Sequence, residues 1–139
     1  MQSNRQIFLQ HMAQTSATPL MLEIVKAQGI YLNDAEGKQY MDLISGISVS
    51  NVGHAHPKVI DAIYQQSKKF SHLMVYGEFV QYPQTQFAEF LANKLPQHLN
   101  CVYFTNSGSE ATEGAMKLAK RFTGRAEIIS MKKAYHGST

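Results

Sequence analysis

"YFTNSGSEATEGAMKLAKRF", residues 103–122, decides how the chain is read. An apolar, strand-like run ends at Asn106, a small polar Ser107-Gly108-Ser109 corner follows, and a helical pattern begins at once. The first amides of a helix have no partners within it, and the helix dipole is positive there. The corner therefore offers backbone N–H groups and two hydroxyls to whatever lies past the strand's carboxyl end, and a phosphate monoester fits that chemistry. A second reading stands beside the first: Ser107-x-x-Glu110 is also a capping box, which needs no ligand. Neither GxGxxG nor GxxxxGK[ST] occurs, so no motif supports a dinucleotide or a nucleoside triphosphate. Beyond the corner, Ala111, Ala115, Leu118, Ala119 and Phe122 share one helix face, with Lys117, Lys120 and Arg121 outside it.

Downstream, Gly124 stops the helix and "EIISM" (127–131) reads as a strand. With "CVYFT" (101–105) on the other side, the three elements predict a β-α-β unit in a parallel sheet with a right-handed crossover. Ligands of such sheets bind at the carboxyl ends of the strands. Tyr135-His136-Gly137 follows the second strand by a few residues and so arrives at the same end as the corner. An aromatic face beside a phosphate cradle suggests a flat, phosphorylated ring stacked on Tyr135.

Upstream, Ser3 caps a short helix through Gln14, and Pro19 closes that region. "LMLEIVKAQGIYLNDAEGKQYMDL" predicts a small antiparallel meander with turns at Gly29 and at Asp34-Ala35-Glu36-Gly37. "ISGISVSNVGHAHP" is too rich in small residues for regular structure and is expected to be an ordered crossing loop. Pro57 and Pro83 open two helices, the second closed by Pro96. Val59, Ile60, Ile63 and Phe70 should face inward on the first, and Phe87, Phe90, Leu91 and Leu95 on the second. "SHLMVYGEFVQYP", between them, is apolar and aromatic without a clean period.

With 139 residues, 44% of them hydrophobic, the chain is long enough to bury a core. A net charge of +3, scattered and without a basic stripe, argues against nucleic acid. No run is long enough to span a membrane and no signal peptide is evident, so a cytoplasmic protein is expected. The single Cys101 cannot form an intrachain disulfide and reads as a buried structural thiol. His54 and His56 sit two apart but lack an acidic or Cys partner at a familiar ligand spacing, and no metal is expected there. Ser107 or Ser109 as a nucleophile would lack the GxSxG elbow.

Three stretches together, "GIYLNDAEGKQYMDLISGISVSNVGHAHPKVIDAI", "NSGSEATEGAMKLAKRF" and "AYHGST", make the chain resemble the N-terminal part of a class III pyridoxal-phosphate-dependent aminotransferase. This is the group of acetylornithine, ornithine and 4-aminobutyrate aminotransferases. The resemblance implies an α/β architecture of the type I aminotransferase fold. Residues 1–56 would be the N-terminal helix and β-meander of the small domain, and residues 57–139 an incomplete first part of the large cofactor-binding domain. It also implies pyridoxal 5'-phosphate as cofactor and a homodimer. Gly108 and Ser109 match the pair that holds the cofactor phosphate, beside Ser107. Tyr135 matches the aromatic stacked on the pyridine ring, with His136 and Gly137 continuing its motif. Ile47 matches a position lining the substrate pocket.

The chain departs from the family pattern in two places. It ends before the family's Schiff-base lysine and pyridine-nitrogen aspartate, so no catalytic residue is assigned and the chain alone is not expected to turn over. Ser138 stands where the acetylornithine, ornithine and 4-aminobutyrate enzymes usually carry an arginine for a substrate carboxylate. A serine cannot form that bidentate ion pair. The reading is the N-terminal portion of a transaminase moving an amino group from an amine or amino acid to a 2-oxo acid. The alternative is a truncated, non-catalytic module that acts through dimer-type association or binds simple phosphate ligands.

Overall fold

The computed structural model describes residues 2–74 and 77–139; Val75 and Tyr76, in the stretch without a clean period, lie outside them. The chain divides into two compact units, Met1–Leu73 and Met74–Thr139.

In the first unit, α1 (Asn4–His11) starts at a complete capping box. The Ser3 hydroxyl accepts from the Gln6 amide, while the Gln6 side chain accepts from the Ser3 amide at 2.8 Å. The helix stops three residues short of the expected Gln14. The Gln14 side-chain amide donates to the carbonyls of Phe8 (3.2 Å) and Met12 (2.7 Å), and these bonds tie off the last turn.

The meander forms as expected. Strands β1 (Ile24–Gln28), β2 (Tyr31–Asp34) and β3 (Gln39–Met41) pair antiparallel in that order, with an irregularity between Ile24 and Lys26. Gln28 pairs with Tyr31 across the two-residue Gly29-Ile30 connection. Asp34 sits at the β2–β3 turn and is only 6% exposed. Its carboxylate accepts from the amides of Glu36 (3.0 Å) and Lys38 (2.8 Å) and from the Tyr40 hydroxyl (2.8 Å). Burial works against the charged form, but these donors outweigh it and hold the Asp34 carboxyl below its ordinary range.

The segment after β3, expected to be irregular, contains one hydrogen-bonded turn, α2 (Ser45–Ser48), with left-handed φ values. The helix α3 (Pro57–Ser67) follows, with Pro57 in its first turn.

In the second unit, α4 (Tyr82–Ala92) carries Pro83 in its first turn and α5 (Gly108–Thr123) ends at Gly124 with φ 69°. Residues 101–105 and 127–131 flank α5 as expected but form no strand or ladder among the described residues, which corrects the expectation that they are strands of a parallel β-α-β unit here. Two strands joined by a crossover need not be neighbours, and without an adjacent strand their backbone groups have nothing to pair with.

No hydrophobic residue is buried among the described residues, and Asp34 is the one buried residue of any kind. The faces of α3 and α4 expected to point into a core carry exposed Val59, Ile60, Ile63, Phe87 and Phe90, and Leu95, expected on the second helix, lies exposed past its end at Ala92. An amphipathic stripe is buried only where a second layer faces it, and among the described residues the only elements that pack on one another are the meander strands. Cys101, expected to be buried, is exposed for the same reason.

Candidate cofactor-phosphate site

Ser107 is the N-cap of α5, with extended backbone (φ −149°, ψ 159°), and its hydroxyl accepts from the Glu110 amide at 3.2 Å. The reciprocal half of the box is displaced by one residue: the Glu110 carboxylate accepts from the Asn106 amide at 2.8 Å rather than from the Ser107 amide. The capping reading is thus correct for the Ser107 side chain, and it leaves the phosphate reading open. The amides of Gly108 and Ser109 begin the helix and have no acceptor within it.

The Ser109 hydroxyl points to the other predicted motif. It accepts from the Ser138 amide at 3.1 Å, which joins α5 to the loop after residue 131. Gly137 packs against Ser109 so closely that an added Cβ would lie 2.6 Å from the serine Cβ and 2.7 Å from its Cα, and its φ is +106°. Only glycine fits there without displacement. A serine hydroxyl has one proton and two lone pairs, so Ser109 keeps its proton to donate while accepting from Ser138. The Tyr135 hydroxyl lies 3.1 Å from the Ser138 hydroxyl, and the residue is 81% exposed. Ser107, Gly108, Ser109, Tyr135, Gly137 and Ser138 therefore form one contiguous group. His136 lies within the same loop, and no bond of its ring is among those of the described residues. A cavity of about 670 Å³ in this unit, lined by Phe79, Tyr103, Phe104 and Thr105, reaches Asn106, next to the corner.

The group suits a phosphorylated ring. It offers the Gly108 and Ser109 amides, which have no acceptor within the helix, together with hydroxyl donors, a glycine-lined approach and an exposed aromatic face, at a helix end whose dipole favours an anion. Glu110, the one acidic residue in the first turn, has its carboxylate engaged by Asn106.

Ile47 belongs to the first unit, where it is 86% exposed on α2. The structure also shows a pair that sequence reasoning missed. The Asp42 carboxylate accepts from the amides of Ile44 (3.2 Å) and Ser45 (2.9 Å), and its second oxygen lies 2.7 Å from His54 Nε2. The His54 bond and these amides hold the Asp42 carboxyl below its ordinary range. The signal was faint: an Asp before a small-residue loop and a His twelve positions later.

The chain matches the family model Aminotransferase class-III over residues 12–139. It is 40% identical over 131 residues to the acetylornithine aminotransferase of Methanopyrus kandleri, covering 93% of this chain and 32% of that protein. Among solved structures it superposes on an adenosylmethionine-8-amino-7-oxononanoate aminotransferase from Methanocaldococcus jannaschii, with TM-score 0.88 and 30% identity. That match covers 97% of this chain and 33% of the other. A taurine:2-oxoglutarate aminotransferase from Bifidobacterium kashiwanohense, solved in complex with PLP and glutamate, gives TM-score 0.82 and 31% identity over 96% and 30%. The chain thus spans about a third of the length of each of these proteins. The fold is that of the type I aminotransferases, pyridoxal-phosphate-dependent enzymes, over this share of their length. By sequence and by fold, the chain belongs to the class III aminotransferase family.

Proposed function

We propose that this chain is the cofactor-phosphate portion of a pyridoxal-phosphate-dependent transaminase that moves an amino group from an amine or amino acid to a 2-oxo acid. The observation that carries the reading is the bond from the Ser138 amide to the Ser109 hydroxyl. It brings the Tyr135-His136-Gly137 loop onto the helix N-terminus that would hold the phosphate. Bound pyridoxal phosphate supplies an electron sink for bonds at the amino-bearing carbon. The chain's own residues bind and orient it: Gly108 and Ser109 through amides and a hydroxyl, Ser107 by capping the helix that aims those amides, and Tyr135 by stacking, with His136 continuing the loop.

On the substrate side, Ile47 supplies a branched aliphatic surface and Ser138 a hydroxyl. Without a guanidinium at 138, the favoured amino donors are those that need no second carboxylate gripped there. Residues 1–56 would serve the small domain and 57–139 the large one. A cytoplasmic homodimer completes the reading. Family membership supports the homodimer, and among the described residues no helix is long and apolar enough to cross a membrane.

The test is cofactor affinity in an active polypeptide that carries this chain. Ser109→Ala combined with Tyr135→Ala should weaken pyridoxal-phosphate binding at least about 10-fold, since a hydrogen bond to a charged group contributes about 1.5–3 kcal/mol. Unchanged affinity would sink the site. A second reading, a non-catalytic module acting through association, is favoured by the many large apolar side chains left exposed. Simple phosphate binding is a third outcome: equal affinity for inorganic phosphate and pyridoxal phosphate would replace the ring-stacking role of Tyr135.

A further inference from the structure

The segment between β3 and α3 has an unusual backbone. Ser45, Gly46, Ile47 and Ser48 have φ of 50°, 61°, 63° and 63°, a full left-handed turn in which three of the four residues carry a Cβ. L-residues visit this region singly and at a cost, and such runs persist only where the surroundings over-determine them. Within the turn, the amides of Ile47 and Ser48 both donate to the Ile44 carbonyl, and those of Val49 and Ser50 to the Ser45 carbonyl. Those bonds close the turn but do not choose its hand or its direction.

The choice comes from outside the turn. Asp42 receives the Ile44 and Ser45 amides at its entrance, and His54 holds the other carboxylate oxygen at 2.7 Å. His54 is fixed in turn by its backbone, which exchanges two hydrogen bonds with Gly29 at the β1–β2 connection (2.9 and 2.7 Å). Gly53 makes that approach possible: a Cβ there would lie 2.9 Å from the Gly29 carbonyl oxygen. Both side chains are well covered, Asp42 11% and His54 25% exposed, and they line a small cavity of about 220 Å³ with Ser45, Ser50 and Asn51. A chain of contacts thus runs from the sheet through Gly29, His54 and Asp42 to the first residue of the turn. At its far end stands Ile47, exposed and unsupported by any packing of its own.

We propose that Asp42 and His54 are positioning residues that impose the left-handed turn Ser45–Ser48 and so fix how Ile47 is presented to an amino donor. The proposal rests on the reading of Ile47 as a substrate-pocket residue, and the experiment separates the two. In an active, cofactor-loaded polypeptide carrying this chain, His54→Ala, His54→Gln, Ile47→Ala and the His54→Ala/Ile47→Ala pair are compared. The readouts are amino-donor KM, kcat and pyridoxal-phosphate affinity, with a crystal structure of His54→Ala.

His54→Ala should raise donor KM about 10-fold with cofactor affinity unchanged, a split that general loss of structure would not produce. His54→Gln, which keeps a side-chain N–H for Asp42, should recover most of it. The double variant should be no worse than His54→Ala alone, because both changes remove the same presented side chain. Additive effects, or a His54→Ala crystal structure with Ile47 still at positive φ, would overturn the proposal. An Ile47→Ala variant with unaltered donor KM overturns the pocket reading instead, and the crystal structure then judges the clamp by itself.

Discussion

At the scale of single residues, the site depends on close approach more than on charge. Gly137 lies against Ser109 with φ +106°, a conformation and a distance that no side chain tolerates. Gly137→Ala should therefore push the Tyr135 loop off the helix start and break the bond from the Ser138 amide to the Ser109 hydroxyl. Left-handed strain alone costs about 1–2 kcal/mol per residue. Pyridoxal-phosphate affinity of a polypeptide carrying this change should fall about 10-fold or more by fluorescence titration. An alanine variant with native affinity would show that the loop does not contribute to the site.

Asp34 offers a second test at this scale, through pH. Its carboxyl is held below the ordinary 3.8 by the Tyr40 hydroxyl and two turn amides, and the same bond pushes the Tyr40 hydroxyl above its ordinary value. A depressed carboxylate pKa means that the ionised form favours the folded turn. That contribution is complete above the ordinary value and is lost as pH falls through the lower folded one. The Glu36 and Lys38 amide resonances should therefore move together in acid, below pH about 4. Asp34→Asn should abolish that acid-dependent movement, and its persistence would place the titrating group elsewhere.

At the scale of elements, the helix signals were legible because they are local. Ser3, Pro57, Pro83, Ser107 and Gly124 each act within one turn of their own position, and α1, α3, α4 and α5 begin or end where those residues set them. The meander was legible for the same reason, since its turn residues lie between short runs that carry Ile24, Val25, Tyr31 and Tyr40. The runs 101–105 and 127–131, expected as strands, were only half legible: a sequence run can favour extension but cannot name its neighbour. The turn at Ser45–Ser48 was invisible, because Gly46 alone among its residues prefers positive φ, and its determinants, Asp42 and His54, lie outside it. Within the site, the Ser107 corner and Tyr135 could be read from motifs, whereas the contact of Gly137 with Ser109 is a fact of packing. The cap itself is testable as an element. Ser107→Ala should cost about 1 kcal/mol of α5 stability, seen as faster amide exchange in its first turn, while Ser107→Asp retains the cap. If exchange is unchanged in the alanine variant, the Glu110–Asn106 bond alone anchors the helix.

At the scale of the whole molecule, apolar faces are prepared but not covered. Phe122, Ile129, Val80 and Tyr103 are almost fully exposed, and α5 presents Leu118 and Phe122 on one side. Fixing the backbone costs about 1–2 kcal/mol per residue, and burial of apolar side chains is the main term that offsets it, at about 1.5–3 kcal/mol for each large one. A 139-residue chain with no buried hydrophobic residue among those described has little of that offset. Studied by itself, it should keep helical far-ultraviolet dichroism, bind a hydrophobic dye strongly and show no sharp calorimetric transition, the behaviour of a state with secondary structure but without fixed packing. A cooperatively packed domain would instead absorb about 0.7 kcal/mol per residue on melting. An endotherm of that size without dye binding would show that the faces find partners within the chain. If the transition appears only with rising protein concentration, second copies cover them, and the association would then be part of the fold.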